Sequence, residues 1–298
     1  MSHEPNCPLC GGQLPPLLYG AEPLPIRRCP CGMLFLHPQP AAEELHRIYQ
    51  NDYYRSWGLD RKEAGEEEAG EATRLMKQAT FGLRLKRLAE VMEPGRVLDV
   101  GCATGFFLEV AERAGWQVHG VELSSYAAAE ARRLFGERVF NGTLEEAGFS
   151  DHSLDLVTLS DILEHIPCPG AFLKEVRRIL VPGGRVMIVT PNAASLSARL
   201  MGRRWSHFKA EHLHYFSPAT ITRLLSAAGF TVDSHGPAAK CLNLAYIATQ
   251  FRVYPHALMT PISRMTTALL PERLQRLNIP LYCGEMMVLA HTPSAEGE

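Results

Sequence analysis

Four cysteines fall early in the chain as two short pairs, Cys7-Pro-Leu-Cys10-Gly-Gly and Cys29-Pro-Cys31-Gly32. Thiolates paired in this way wrap a tetrahedral zinc, because the glycine after the second cysteine frees the turn and four soft ligands close a structural site. The second pair is one residue shorter than the usual knuckle, and His37 is the ligand that can substitute if that geometry fails. So small a proline-rich segment needs its metal to fold. A second chemical stretch is Asp99-Val-Gly101-Cys102-Ala103-Thr-Gly105. Gly101 and Gly105 let the backbone approach a ligand where a Cβ would collide, and the helix that follows offers unpaired N–H groups. The natural guest is a small anionic or nucleoside-bearing molecule. A third is Glu211-His212-Leu213-His214-Tyr215, where an imidazole of ordinary pKa, about 6.5, is poised for proton transfer near neutrality. In an extended run His212 and His214 share one face and Leu213 takes the other. The alternative role for both histidines is to bond loop backbone or to position a bound molecule.

The glycine turn is held between a strand and a helix. Val97, Leu98 and Val100 form the continuous apolar run of a strand covered on both faces, and Phe107 to Ala114 change to helical spacing. Trp116-Gln-Val-His-Gly-Val-Glu122 is a second apolar run that ends in an acid. A carboxylate at that strand end accepts both hydrogen bonds of a ribose diol, the role assigned to Glu122 with Leu123 beside it. A dinucleotide fingerprint needs glycine at 101, 103 and 106, whereas the chain has Gly101, Ala103 and Phe106, which disfavours NAD. Ser124 or Ser125 caps an alanine-rich helix from Tyr126 to Phe135, and Arg138-Val-Phe140 is a short third strand before Asn141-Gly142-Thr143-Leu144. A fourth strand runs from Asp151 to Asp161, a helix from Ala171 to Leu180 and a fifth strand from Arg185 to Thr190. This alternation predicts an α/β fold with a doubly wound, mostly parallel sheet and a ligand at the carboxyl ends of its strands.

The pattern acidic-x-Gly-x-Ala-x-Gly resembles the first motif of class I methyltransferases that use S-adenosyl-L-methionine (SAM). Ala103 departs from the glycine often found there and leaves the loop nearly as open. Leu154-Asp-Leu-Val157 and Leu163-Glu-His-Ile166 resemble the family's FDLV and LEHI segments, with Ser160 at the strand end facing the cofactor, and Val181-Pro-Gly-Gly184 is a shared turn before strand five. The resemblance spans about residues 95 to 240. It implies a seven-stranded Rossmann-like methyltransferase fold and SAM bound by Asp99, Gly101, Cys102, Ala103, Gly105, Glu122, Leu123, Thr143, Leu144 and Ser160. Thr143 stands where the family often carries an aspartate against adenine. The segment 191–217 lies where acceptor-binding insertions lie in this fold. Segments similar to Glu211-His-Leu-x-Tyr-Phe-Ser217 occur in bacterial small-molecule and glycan methyltransferases, including those resembling the quinone-ring O-methyltransferases. The implied acceptor is a small molecule, a glycan or a lipid-linked compound, methylated at a hydroxyl, with His212 or His214 as the general base.

The remaining chain divides into a zinc-ribbon-like segment at 1–40, a helical linker or lid at 41–94 and the methyltransferase domain at 95–298. Tyr49, Tyr53 and Tyr54 either cover the cofactor mouth or pack the ribbon onto the domain; Gly58 to Gly70 is a polar linker, and Thr73 to Met92 a helix. Ser217 caps a helix that ends at Gly229 and leads to a strand from Phe230 to Asp233. The amphipathic segment 241–280 is too interrupted by Asn243, Gln250, Arg252, Pro255 and Pro261 to span a bilayer. It is expected to form a lid, with peripheral membrane contact through 241–270 as the alternative. Gly284 to His291 closes the sheet, and a disordered tail is expected from Thr292. A net charge of -2 from 30 basic and 32 acidic residues gives no field for nucleic acid. The start of the chain has no basic-then-apolar leader, so a cytoplasmic protein with eight reduced cysteines is expected. The rival to catalysis is a SAM-binding regulator or scaffold that uses the ribbon to hold a partner.

Overall fold

The computed structural model of the protein describes residues 6–19, 24–41, 67–253 and 259–294. Tyr49, Tyr53, Tyr54 and most of the expected linker lie outside them. The chain opens with a hairpin of β1 (Ile26–Arg28) and β2 (Leu34–Leu36), antiparallel with Ile26 opposite Leu36. Helix α1 (Glu67–Leu88) starts earlier and stops sooner than its apolar spacing predicts. Then follow β3 (Arg96–Val100), α2 (Phe106–Arg113), β4 (Gln117–Glu122), α3 (Ser125–Phe135), β5 (Val139–Asn141), β6 (Leu154–Ser160), α4 (Pro169–Ile179) and β7 (Leu180–Pro191). The hydroxyl of Ser124 accepts from the Ala127 N–H and caps α3. After α5 (Leu196–Met201) come β8 (His214–Tyr215), α6 (Pro218–Ala227), β9 (Thr231–Leu242), α7 (Leu244–Val253), α8 (Met259–Leu269), α9 (Glu272–Gln275) and β10 (Ile279–His291).

The main sheet has seven strands in the order β5-β4-β3-β6-β7-β10-β9. Strands β3 to β7 pair in parallel, while β10 runs antiparallel to both β7 and β9. The chain winds outward in both directions from β3, and that reversal opens a crevice at the carboxyl ends of β3 and β6. Arg96 and Asp155 tie these two strands at their start: the guanidinium donates to both carboxylate oxygens at 3.0 Å and the Arg96 N–H donates to Oδ2 at 2.7 Å. Apolar clusters cover both faces. Leu98, Val157, Val186 and Ile188 point to the side of α4 and α6, and Val97, Leu156, Met187 and Val189 to the side of α1 and α2.

Three features differ from the sequence expectation. The turn Val181-Pro-Gly-Gly184 is not a loop before a strand but an irregularity inside β7, where the register against β6 shifts between Leu154 and Leu156. Strand β9 continues far past Asp233, because its long pairing with β10 satisfies its backbone to Leu242. Thr292 is ordered: its N–H donates to the Gly184 carbonyl and its hydroxyl to that of Val181, so the tail begins by covering the β7 irregularity.

The hairpin is not a separate bead. Strand β2 pairs antiparallel with β8, Leu34 opposite Tyr215 and Phe35 opposite His214, to give a second, three-stranded sheet. Met33 and Phe35 are buried in the same cluster as Leu173, Phe216 and Ile221 of the main domain. Burial of each such side chain contributes about 1.5–3 kcal/mol.

Candidate functional site

The turn between β3 and α2 passes through three left-handed residues, Gly101 (φ +73°), Ala103 (φ +48°) and Gly105 (φ +88°). A Cβ on Gly101 would sit 2.2 Å from Ile162 Cδ1, and one on Gly105 2.7 Å from the Phe135 ring. The path is held from below by Glu122, which accepts from the Ala103 N–H at 2.9 Å and the Ser124 N–H at 2.8 Å, one on each carboxylate oxygen. A carboxylate oxygen can accept more than one hydrogen bond, so the clamp and the expected contact with a diol are compatible. Asn141 fixes the strand end by donating from Nδ2 to the carbonyls of Glu122 and Leu123.

Beside the turn lies a cavity of about 240 Å³ whose walls include Asp99, Gly101, Cys102, Ala103 and Ser160. These expected site residues come together. Glu122 and Leu123 stand at the end of β4 just beyond, and Thr143 caps the next turn through a mutual pair of hydrogen bonds with Glu146. Leu144 is buried in the core and packs beneath the turn. The sequence reading missed a ring of charge around the same cavity: Lys77 and Arg84 from α1, Asp161 after β6 and Lys240 from β9. Arg84 donates to the Ser160 hydroxyl at 3.0 Å, and Lys240 lies 3.7 Å from Asp161 and in close ion pair with Glu285 of β10.

Burial pushes the Asp99 carboxyl up to about 7, opposed by the hydrogen bond it accepts from Thr158. Burial also raises Asp161, but Lys240, Arg84 and Lys77 overcome it and hold that acid at about 2. Lys77 is pushed down to about 8 by burial and by nearby Lys240. A cavity lined by charged groups of both signs suits a zwitterion.

The segment after β7 packs against the residues that follow β6, where the Leu213 N–H donates to the Glu164 carbonyl. Trp205, Phe208 and Tyr215 pack edge to face, and the Tyr215 hydroxyl donates to the Lys209 carbonyl at 3.1 Å. The two expected base candidates separate here. His214 is fully buried in β8 with Nε2 3.3 Å from the Pro167 carbonyl. His212 precedes the strand in a turn closed by its N–H to the Lys209 carbonyl, and its ring meets His165 at 4.7 Å. The extended run expected through both does not form, because the strand begins only at His214. Burial pushes His212 down to about 2 and His214 to about 4, which makes both weak bases.

In the ribbon the four cysteine sulfurs lie within 4.8 Å of one another, with Cys7 to Cys31 and Cys10 to Cys29 at 3.6 Å. A tetrahedral zinc with Zn–S bonds of about 2.3 Å needs sulfurs about 3.8 Å apart. The short Cys29-Pro-Cys31 pair thus reaches the required geometry without His37.

The family described as "Methyltransferase domain" matches residues 73–235, more than half of the chain. The ubiquinone biosynthesis O-methyltransferase of Xanthomonas axonopodis pv. citri is 30% identical over 174 residues, covering 51% of this chain and 70% of that one. The enzyme of the same description from Aeromonas salmonicida is 27% identical over 172 residues, covering 53% and 70%. Among solved structures, magnesium protoporphyrin IX methyltransferase of Synechocystis PCC 6803 superposes with a TM-score of 0.54 at 14% identity, covering 85% of this chain and 100% of that one. That likeness is one of fold.

Proposed function

The chain belongs to the methyltransferase-domain family and takes its methyl group from SAM, and from that premise we propose that it methylates a hydroxyl of a small-molecule, glycan or lipid-linked acceptor, with a structural zinc in the ribbon. The observation that carries the reading is the switch-point cavity, where a strained glycine turn clamped by Glu122 adjoins fixed charges of both signs. SAM brings a ribose diol, a carboxylate, an ammonium group and a sulfonium methyl. Glu122 accepts from the diol, Lys77 and Arg84 attract the carboxylate, and Asp99 and Asp161 favour the ammonium group. Leu123 and Thr143 border the adenine side. Oxygen as the acceptor atom is supported by the relatives from Xanthomonas and Aeromonas, both named as O-methyltransferases.

Transfer is an in-line displacement: the O–C bond forms as the S–C bond breaks, the electron pair stays on sulfur and the hydroxyl proton must leave. The protein aligns the partners, excludes water and disposes of the proton. His212 rather than His214 stands on the acceptor side. The ribbon zinc is held by Cys7, Cys10, Cys29 and Cys31 and supplies structure, not chemistry.

A lipid-linked acceptor is favoured by one specific surface. Leu196, Leu200 and Tyr282, exposed at 71%, 77% and 70%, flank a cavity of about 700 Å³. Arginines 199, 203 and 204 lie exposed beside the two leucines.

Calorimetry with SAM, followed by incubation with a pooled extract and mass spectrometry of whatever gains a methyl group, tests the reading. Stoichiometric binding and methylation of an oxygen are expected. Binding of NADH in place of SAM, or methyl transfer only to nitrogen or carbon, overturns it.

A further inference from the structure

The cavity of about 700 Å³ between α5, β9 and β10 is lined by hydrogen-bond donors that the description above does not use. Asn192 accepts from the Ala194 N–H at 2.9 Å through Oδ1, while its Nδ2 makes no hydrogen bond among the described residues. The hydroxyls of Ser195 and Ser197 stand 3.0 Å apart, and that of Ser195 also accepts from the Ala198 N–H at 3.2 Å. One O–H serves the serine pair and the other is left to donate. Gly284, at φ +90°, keeps these hydroxyls uncovered, because a Cβ there would stand 2.4 Å from Ser197 Oγ. The one acid in the wall is Glu285, whose side chain is 2% exposed and whose carboxylate is paired with Lys240. The cavity offers hydrogens to a ligand and withholds negative charge.

The rim adds positive charge. Residues 191–210 contain Arg199, Arg203, Arg204 and Lys209 and no acid. Arg199 follows the lining residue Leu196 by three positions, and Arg203 and Arg204 follow the lining residue Leu200 by three and four, so each lies about one turn from the cavity wall. All three guanidiniums are exposed, and among the described residues none makes an ion pair or a hydrogen bond. A guanidinium presents its donors as a planar fork that fits phosphate oxygens two at a time. Three of them beside a donor-lined cavity suit a ligand with several negative charges, and the exposed Leu196 and Leu200 between them suit an apolar chain.

We infer that this cavity binds an acceptor carrying a diphosphate, whose oxygens are held by Arg199, Arg203 and Arg204 and by the donors of Asn192 and the serine pair, with an apolar chain along Leu196 and Leu200. The inference rests on the hydroxyl-methylation reading and narrows it, since the diphosphate is the group that joins the methylated unit to its tail. Placement agrees with the role: Lys240 lines the cofactor cavity and its partner Glu285 lines this one, so the two cavities are neighbours across one ion pair.

The probes are inorganic diphosphate, geranyl diphosphate and geraniol, titrated by calorimetry at low ionic strength into the full-length protein saturated with S-adenosylhomocysteine. One equivalent of inorganic diphosphate is expected to bind, more weakly as salt rises. Geranyl diphosphate should bind about tenfold or more tighter, because its chain covers the leucines, and geraniol alone should not bind. Arg203→Ala with Arg204→Ala is expected to weaken both diphosphates at least tenfold, and Asn192→Ala about tenfold. The asparagine variant separates a built site from a surface that merely attracts anions, which it would leave unaltered. Leu196→Ser with Leu200→Ser should remove the gain from the geranyl chain and spare inorganic diphosphate. Affinity for S-adenosylhomocysteine should be unchanged in every variant, which also shows that each is folded. If the wild-type protein binds S-adenosylhomocysteine but neither diphosphate, or if the arginine and asparagine variants bind both as wild type does, the site is overturned while the methyltransferase reading stands. Flotation with phosphatidylglycerol vesicles that falls in the arginine variant, with no binding of either soluble diphosphate, would likewise overturn it and assign these cations to bilayer headgroups. If diphosphate binds as expected but only compounds without phosphate gain a methyl group from the extract, the anion site stands and its role as acceptor site falls.

Discussion

Glu122 carries two duties in one carboxylate. It closes the glycine turn by accepting from Ala103 and Ser124, and on the proposed reading it also accepts from the ribose diol of SAM. Loss of the side chain therefore acts before the ligand arrives: Ala103, already held at φ +48°, keeps a strained backbone that nothing fastens. Two charge-assisted hydrogen bonds contribute about 1.5–3 kcal/mol each when buried. Glu122→Ala is expected to lower the melting temperature and to weaken SAM by about 100-fold or more, since each 1.4 kcal/mol is tenfold. Thermal unfolding and calorimetry read the two effects separately. Equal affinity in the variant would show that neither the loop nor the diol depends on this residue.

Among the elements, the ribbon hairpin and β8 depend on each other. Strand β8 has two residues and pairs on one side with β2; without the hairpin it loses that pairing, and Met33 and Phe35 leave the core. Chelation of the ribbon metal, or Cys29→Ser, is expected to release the hairpin, lower the melting temperature and reduce methyl transfer at least tenfold, because the turn carrying His212 is anchored immediately before β8. Binding of S-adenosylhomocysteine at the far side of the sheet is expected to persist, and a parallel loss of both functions would place the ribbon in general folding instead. This dependence could not be read from the sequence, because two residues separated by most of a domain give no periodic signal. The glycine turn, the acid at the end of β4 and the parallel strands were legible, since strand, turn and helix there are consecutive in the chain. The charges of the cavity were not. Lys77 and Arg84 lie on a helix far in sequence from Asp161 and Lys240, with which they share the cavity, and Lys240 and Glu285 meet only through the antiparallel pairing of β9 with β10. His212 and His214 resemble each other in type, but a turn ending between them sets one against His165 and the other into the ribbon sheet.

At the scale of the whole molecule, net charge conceals a polarised surface. The total is -2, yet exposed arginines 199, 203 and 204 adjoin Leu196, Leu200 and Met201 on one segment, and Arg264 and Arg273 adjoin Met265, Leu269 and Leu274 on another. No helix among the described residues is long and apolar enough to cross a membrane. Exposed leucines bordered by arginine instead match an interfacial surface, in which apolar side chains enter the headgroup region and each nearby arginine adds about 1 kcal/mol toward anionic lipid. If the acceptor is lipid-linked, the protein is expected to float with vesicles containing phosphatidylglycerol, less with neutral vesicles, and progressively less as salt rises. Leu196→Asp together with Leu200→Asp should abolish flotation while S-adenosylhomocysteine affinity remains, because both residues lie outside the cofactor cavity. Salt-independent binding, or flotation undiminished in the double variant, would assign this face to the walls of a soluble acceptor's cavity and remove the case for a lipid tail.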